Sequence, residues 1–306
     1  MSTPHLFDVK ALRRQRNRHA ASLMADPFLL ELMIERLLER LGDIKRGFTD
    51  MLDLGGRHGL LARALERIDP VVRPVVLDPA ERLCREAPGA GVVADLETLP
   101  FARESFDAVL SAGSLHHVND LPGLLAQTRQ CLRPDGLFLA VFAGGETLCE
   151  LRRVLMSAEL EETGGAGLRV APFVDVRDLG ALLQRTGFAL PCVDSDRLTL
   201  TYADPWQLLG ELRGAGEANV IRDRPRQPLR RAVLARAFEA YAREFTDRRG
   251  RLVVTVDLVT ATGWAPHPDQ QRPARRGSGS VNLAKAMGVD PDILAGKLSP
   301  PGRPPR

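Results

Sequence analysis

A chain of 306 residues, 44% apolar and 26% charged, is long enough to bury a large core and has the make-up of a soluble globular protein. Its formal net charge of +3, from 42 basic and 39 acidic residues, is too even a balance to point to a nucleic-acid partner. No apolar run reaches the length of a membrane span and no signal-peptide core is evident, so a cytoplasmic protein is expected.

Residues 1–48 read as a helical extension. Arg13, Arg14, Arg16 and Arg18 are taken as a solvated face. Asp26–Pro27 reads as a helix start with Pro at the first helical position, and "FLLELMIERLLERL" continues with apolar residues at helical spacing. From 50 to 145 the pattern alternates. Strands are predicted at 50–54, 74–78, 91–94, 106–112 and 137–143, and helices at 58–67, 79–86 and 119–132. Near-continuous apolar strands between helices argue for a parallel sheet covered on both faces. "CLRPDG" reads as the turn that feeds the fifth strand.

Further helices are expected at 146–162 and in "VDVRDLGALLQRTG", closed by Gly187. Residues 188–201 and "RLVVTVDLVTATGW" read as the last two strands, an antiparallel pair with a helical lid, 202–250, inserted between them. The segment 282–306 is expected to be a disordered tail, which leaves 49–281 as the main domain. Cys84, Cys131, Cys149 and Cys192 form no Cys-x-x-Cys pair and no zinc spacing, and read as buried free thiols in a reducing compartment. The only lysines are Lys10, Lys45, Lys285 and Lys297, an arginine bias that reads as a GC-rich, bacterial coding sequence.

The most telling stretch is "MLDLGGRHG", 51–59. A short strand ends in Asp53 and Leu54, and Gly55, Gly56 and Gly59 open a helix. Such a turn lets backbone N–H groups approach a ligand at a helix N-terminus. Asp78 in "VVLD" and Asp95 in "VVAD" end the next two strands on the same edge, where open parallel sheets bind ligands. One carboxylate suits the ammonium of a methionine moiety, one both ribose hydroxyls, and one the adenine amino group, with the Leu96 N–H on a ring nitrogen. The cofactor assigned is therefore S-adenosyl-L-methionine, held by Asp53, Gly55, Gly56, Gly59, Asp78, Asp95, Leu96 and Ser111. A dinucleotide fits less well, because "GGRHGLLA" departs from G-x-G-x-x-G.

In order, "LDLGGRHG", "VVLD", "VVADLETLPFARESFDAVLSAGSLHHV" and "CLRPDGLFLAVF" resemble the class I methyltransferase fold over about 50–145. The resemblance implies an α/β, Rossmann-like sheet of seven strands, mainly parallel with the last antiparallel, and a SAM-dependent methyltransferase. A narrower likeness runs over about 6–281. "LFDVKALRRQRNRHA", "HHVNDLP", "FAGGETLCELR", "GAGEAN" and "GWAPHPDQQRPARRGSGSV" are similar to the family of mitochondrial complex I assembly factor 5 and its bacterial relatives. That likeness implies a protein substrate, a respiratory complex subunit, and a role in complex I assembly. The mitochondrial member is regarded as hydroxylating an arginine on an iron–sulfur subunit. Bacterial relatives are often labelled methyltransferases, including the malonyl-acyl-carrier-protein O-methyltransferase. A non-catalytic assembly chaperone that keeps the fold is the remaining alternative.

Arg57 stands where the methyltransferase pattern G-x-G-x-G has its middle glycine. Either Arg57 takes a positive φ, at about 1–2 kcal/mol, or Gly56 takes over that conformation. His116, His117 and Asp120 in "SAGSLHHVND" lie where a substrate would meet the methyl group. The histidines are the candidate bases, against packing on the cofactor or capping the next helix; Asp120 or Asn119 is equally a helix cap. A non-haem iron centre needs two histidines and a carboxylate. "HHVND" with His58 or His267 supplies those types, but six histidines make chance proximity easy and no metal is assigned. The substrate side is placed at Glu217, Trp264, His267 and Arg276. Glu217 is expected by family likeness to face a substrate guanidinium.

Overall fold

The apolar runs of the first half become parallel strands. A computed structural model of the chain describes residues 5–270 and Gly288. The strands are β1 (Asp50–Leu54), β2 (Arg73–Asp78), β3 (Ala90–Val93), β4 (Phe106–Ala112), β5 (Leu132–Gly144), β6 (Ala189–Tyr202) and β7 (Leu252–Trp264). They form one sheet in the order β3-β2-β1-β4-β5-β7-β6, and β7 runs antiparallel to both its neighbours. The chain leaves β1 toward β2 and later returns to its other side as β4, so a crevice opens beyond their carboxyl ends. The sheet and its helices lie in a unit spanning 1–267, separate from 268–306.

Strand alternation divides the core into two layers. Leu137, Leu139 and Val141 pack with α3 (Phe28–Gly42), α7 (Cys149–Thr163) and α10 (Arg231–Glu244), while Phe138, Ala140 and Phe142 pack with α6 (Leu121–Cys131) and α8 (Val176–Arg185). The remaining helices are α1 (Val9–Arg18), α2 (Ala20–Ala25), α4 (Leu60–Ile68), α5 (Glu81–Cys84) and α9 (Pro205–Gly214). Asp8, Asp120, Asp175 and Asp204 cap α1, α6, α8 and α9 by accepting backbone N–H bonds. Among the described residues no helix is long and apolar enough to cross a membrane.

Several boundaries differ from expectation. α3 starts at Phe28, with Pro27 as the cap rather than the first helical residue. The helix foreseen at 79–86 is four residues long. The "RPDG" turn falls inside β5, because pairing with β4 jumps from Phe106–Leu132 to Ala108–Leu137 and the intervening residues bulge. In the insertion, 215–230 is irregular between α9 and α10, broken by Gly216, Pro225 and Pro228. Cys84 and Cys131 are buried free thiols, but Cys149 is half-buried and Cys192 exposed. The expected tail lies outside the described residues, Gly288 apart.

The irregular segment is stitched to the N-terminus. Asp8 donates its N–H to Val220 O and Arg222 donates to Leu6 O, both at 2.8 Å, around a Phe7–Ile221 bridge. Phe7, Ala11, Leu12, Val220 and Ile221 form a small buried apolar cluster there.

Candidate active site

The loop after β1 carries two positive-φ glycines, Gly55 (φ 71°) and Gly59 (φ 74°), and between them Arg57 at φ 55°. Gly56 does not take over the left-handed conformation; Arg57 itself adopts it. Three bonds hold Arg57 there. Its N–H donates to Asp78 Oδ2 at 3.2 Å, and its Nη2 donates to Gly113 O and Glu217 Oε1, each at 2.7 Å. Gly56 is needed for space instead, since a Cβ there would come 2.4 Å from the Asp53 carboxyl carbon. Asp53 is 1% exposed, and neither carboxylate oxygen has a hydrogen-bond partner in good geometry. Burial pushes its pKa up to about 7. The Ala62 amide and Arg57 pull the other way, and the Asp78 charge adds to the rise.

Asp78 at the end of β2 is fully buried and fully engaged. It accepts from the N–H groups of Arg57 and Ala80 and from Arg16 Nη1, 3.2 Å away. Arg16 reaches in from α1, and its Nη2 lies 3.5 Å from Ser114 Oγ, which itself donates to Gly55 O. The solvated-face reading holds for Arg13, Arg14 and Arg18 but fails for Arg16, which has no exposed surface. The signal was present: Arg16 falls on the stripe of Leu12 and Ala20, at helical spacing from both.

The loop after β4 ends in a 3₁₀ turn, Leu115–His117, that aims both histidines at Glu217. His116 Nε2 is 2.9 Å from Glu217 Oε2, and His117 Nε2 is 3.6 Å from the same oxygen. Glu217 thus faces the guanidinium of Arg57, from within the chain. Burial pushes the Glu217 carboxyl up, but His116, His117 and Arg57 together hold it well below the usual range. Burial, then His116, push His117 well below the usual imidazole range. Arg57, His116, His117 and Glu217 line one end of a cavity of about 380 Å³. Its walls are apolar, with Leu30, Leu151, Leu155, Phe173, Leu209 and Leu212 among them.

The other expected site residues lie outside the histidine cluster. Asp95 is exposed and accepts the Glu97 N–H, while Leu96 is buried against Gly55. Ser111 is buried on β4 and donates to Leu54 O, tying β4 to β1. Asp120 caps α6, and Asn119 accepts the Phe7 N–H. His58 is buried beside Arg57 but outside the histidine cluster. Trp264 pairs with Leu137, just after the bulge in β5, whereas Asp257 pairs with Gly144 at its end. Seven residues of strand therefore put Trp264 roughly 23 Å from the edge at which β5 ends. Arg276 lies outside the described residues.

The sheet order and the glycine turn at its switch point define a class I methyltransferase fold. A methyltransferase-domain family profile matches residues 52–140. YcgJ of Bacillus subtilis has a similar fold, with a TM-score of 0.52 at 15% identity over 78% of this chain and 98% of that one. Human mitochondrial arginine-hydroxylase NDUFAF5 is 36% identical over 308 residues, 98% of this chain and 87% of that protein. Malonyl-[acyl-carrier protein] O-methyltransferase of Gallionella capsiferriformans is 31% identical over 284 residues, 87% and 94% of the two chains. The chain belongs to the methyltransferase-fold family that contains both of these proteins.

Proposed function

We propose that the chain binds S-adenosyl-L-methionine at the carboxyl edge of β1–β3 and modifies a protein side chain, in a role linked to respiratory complex I assembly. The observation that carries the cofactor reading is Asp53, a buried carboxylate without a hydrogen-bond partner in good geometry, under a glycine turn. An ammonium group would satisfy it. Asp53, Gly55 and Gly56 would hold the amino-acid end, Asp78 the ribose after Arg16 withdraws, and Asp95 and Leu96 the base. The bound cofactor supplies a methyl group on a sulfonium. The protein's part is to position the acceptor and exclude water, and the apolar cavity suits both tasks. His116, whose Nε2 lies 2.9 Å from Glu217 Oε2, is the group placed to accept a proton.

A second reading, hydroxylation of a protein arginine with dioxygen as oxidant and an external two-electron donor reducing its second oxygen to water, is favoured by Arg57. Its side chain crosses from the glycine turn to Glu217, so a guanidinium separates a cofactor in the turn from an acceptor in the cavity. The likeness to the arginine-hydroxylase along 98% of the chain supports the same reading.

Calorimetry with S-adenosylmethionine tests the shared premise. Binding that is lost in Asp53→Asn is expected, and no binding at millimolar ligand refutes it. Mass spectrometry of the candidate iron–sulfur subunit then separates the chemistries: a gain of CH₂ marks methylation and a gain of one oxygen marks hydroxylation. An unmodified but tightly bound subunit would mark an assembly chaperone.

A further inference from the structure

The geometry points to a divalent transition-metal site formed by His116, His117 and Glu217 in the lining of the apolar cavity. One nitrogen from each imidazole and one carboxylate oxygen lie within 4.8 Å of one another. The three residues come from two segments about a hundred positions apart, yet both histidines turn the same nitrogen, Nε2, toward the same oxygen, Oε2. A hydrogen bond accounts for His116 at 2.9 Å. It does not account for His117, which at 3.6 Å is too far for one.

The Nδ1 atoms of both histidines are buried without partners in the protein, so with Nε2 on an ion their N–H groups would turn to water. The other Glu217 oxygen is fixed by Arg57 at 2.7 Å, which leaves Oε2 directed at the imidazoles. Glu217 is 17% exposed, and both imidazoles are less than 10% exposed.

Two imidazoles and one carboxylate on one side of an ion, with the remaining positions open, suit Fe(II) and tolerate Mn(II), Co(II) or Zn(II). All three residues line the cavity, so the open positions would face whatever occupies it. The positive charge of Arg57 beside the carboxylate weakens the attraction for a dication, so an exchangeable ion is expected rather than a permanently held one. The role of such an ion in catalysis rests on the reading of this cavity as the reaction site, but its binding does not.

The test uses the full chain, stripped of metal and kept anaerobic. Fe(II) is titrated by calorimetry, and Co(II) is followed by its visible spectrum. One ion per chain is expected, with the Co(II) bands reduced at least tenfold at equal metal in Glu217→Gln and in His116→Gln. No saturable binding of either ion, or spectra unchanged in both variants, would overturn the site. Should the variants misfold, the wild-type protein decides. Histidine nitrogen couplings in the EPR spectrum of its Fe(II)–nitrosyl complex support the site, and their absence overturns it. S-adenosylmethionine binding is measured on the same sample. Metal without cofactor binding supports the site and refutes the cofactor reading; cofactor binding without metal does the reverse.

Discussion

Arg16 Nη1 lies 3.2 Å from Asp78 Oδ2, and neither side chain has any exposed surface. The carboxylate best placed for a ribose is therefore held by the protein's own N-terminal helix. Removing one partner of a buried pair costs about 3–5 kcal/mol. The lower end applies here, because the Arg57 and Ala80 amides still bond Asp78. Arg16→Met is expected to lower the melting temperature of the ligand-free protein in differential scanning calorimetry. It should also tighten S-adenosylmethionine binding by about tenfold or more, since the ligand no longer displaces an arginine. Weaker binding in the variant would mean that Arg16 holds the cofactor instead of blocking it.

Asp53 gives the protein an inverted acid response. Its pKa rises from 3.8 to about 7 on folding. Below pH 3.8 the folded and unfolded forms are both protonated there. Between 3.8 and 7 the unfolded chain ionises freely while the folded one does not, so stability falls as pH rises and levels off above 7. The loss is on the order of 4 kcal/mol at most. Asp53→Asn should remove this slope in urea unfolding between pH 5 and 8. Cofactor binding should move the opposite way, tightening over the same range as the carboxylate ionises. A pH-independent affinity would argue against Asp53 as the ammonium partner.

Arg57→Gly removes a left-handed non-glycine residue, worth about 1–2 kcal/mol, and an ion pair whose loss costs about 3 kcal/mol. A modest net loss of stability is expected in thermal unfolding. With the guanidinium gone, the glycine turn opens onto the cavity. Mass spectrometry of the subunit should then show more methylated product than with the wild type. An unchanged product would place the barrier to methyl transfer elsewhere.

Trp264→Ala serves as the contrasting variant. Trp264 packs against the core at the far edge of the sheet. Its loss should lower stability by about 2–3 kcal/mol, given partial burial, while KM for the modified subunit stays unchanged. A raised KM at full folding would return the last strand to the substrate side.

The parallel half of the sheet was legible because its strands are nearly unbroken apolar runs; 50–54 and 106–112 match residue for residue. The glycine turn was legible as local chemistry. The partners of its side chains were not. Arg16 meets Asp78 across 62 residues and Glu217 meets His116 across 101, distances at which no periodicity carries information. Trp264 is a different case. Once the last strand was read as antiparallel, its C-terminal residue had to fall at the edge opposite the loops. The glycines of "GAGEAN" mark a break in the insertion, but 220–230 reads as helix although Pro225 and Pro228 argue against it.

The Phe7–Ile221 bridge has a consequence for the order in which ligands enter. Arg16 sits ten residues or fewer beyond the N-terminal side of that bridge, and Glu217 four residues before its other side. Backbone hydrogen bonds and five buried apolar side chains join the two segments. If a nucleoside draws Arg16 away from Asp78, the bridge is expected to pass that displacement to the carboxylate that anchors His116, so that the proposed cofactor would enter before a second reactant.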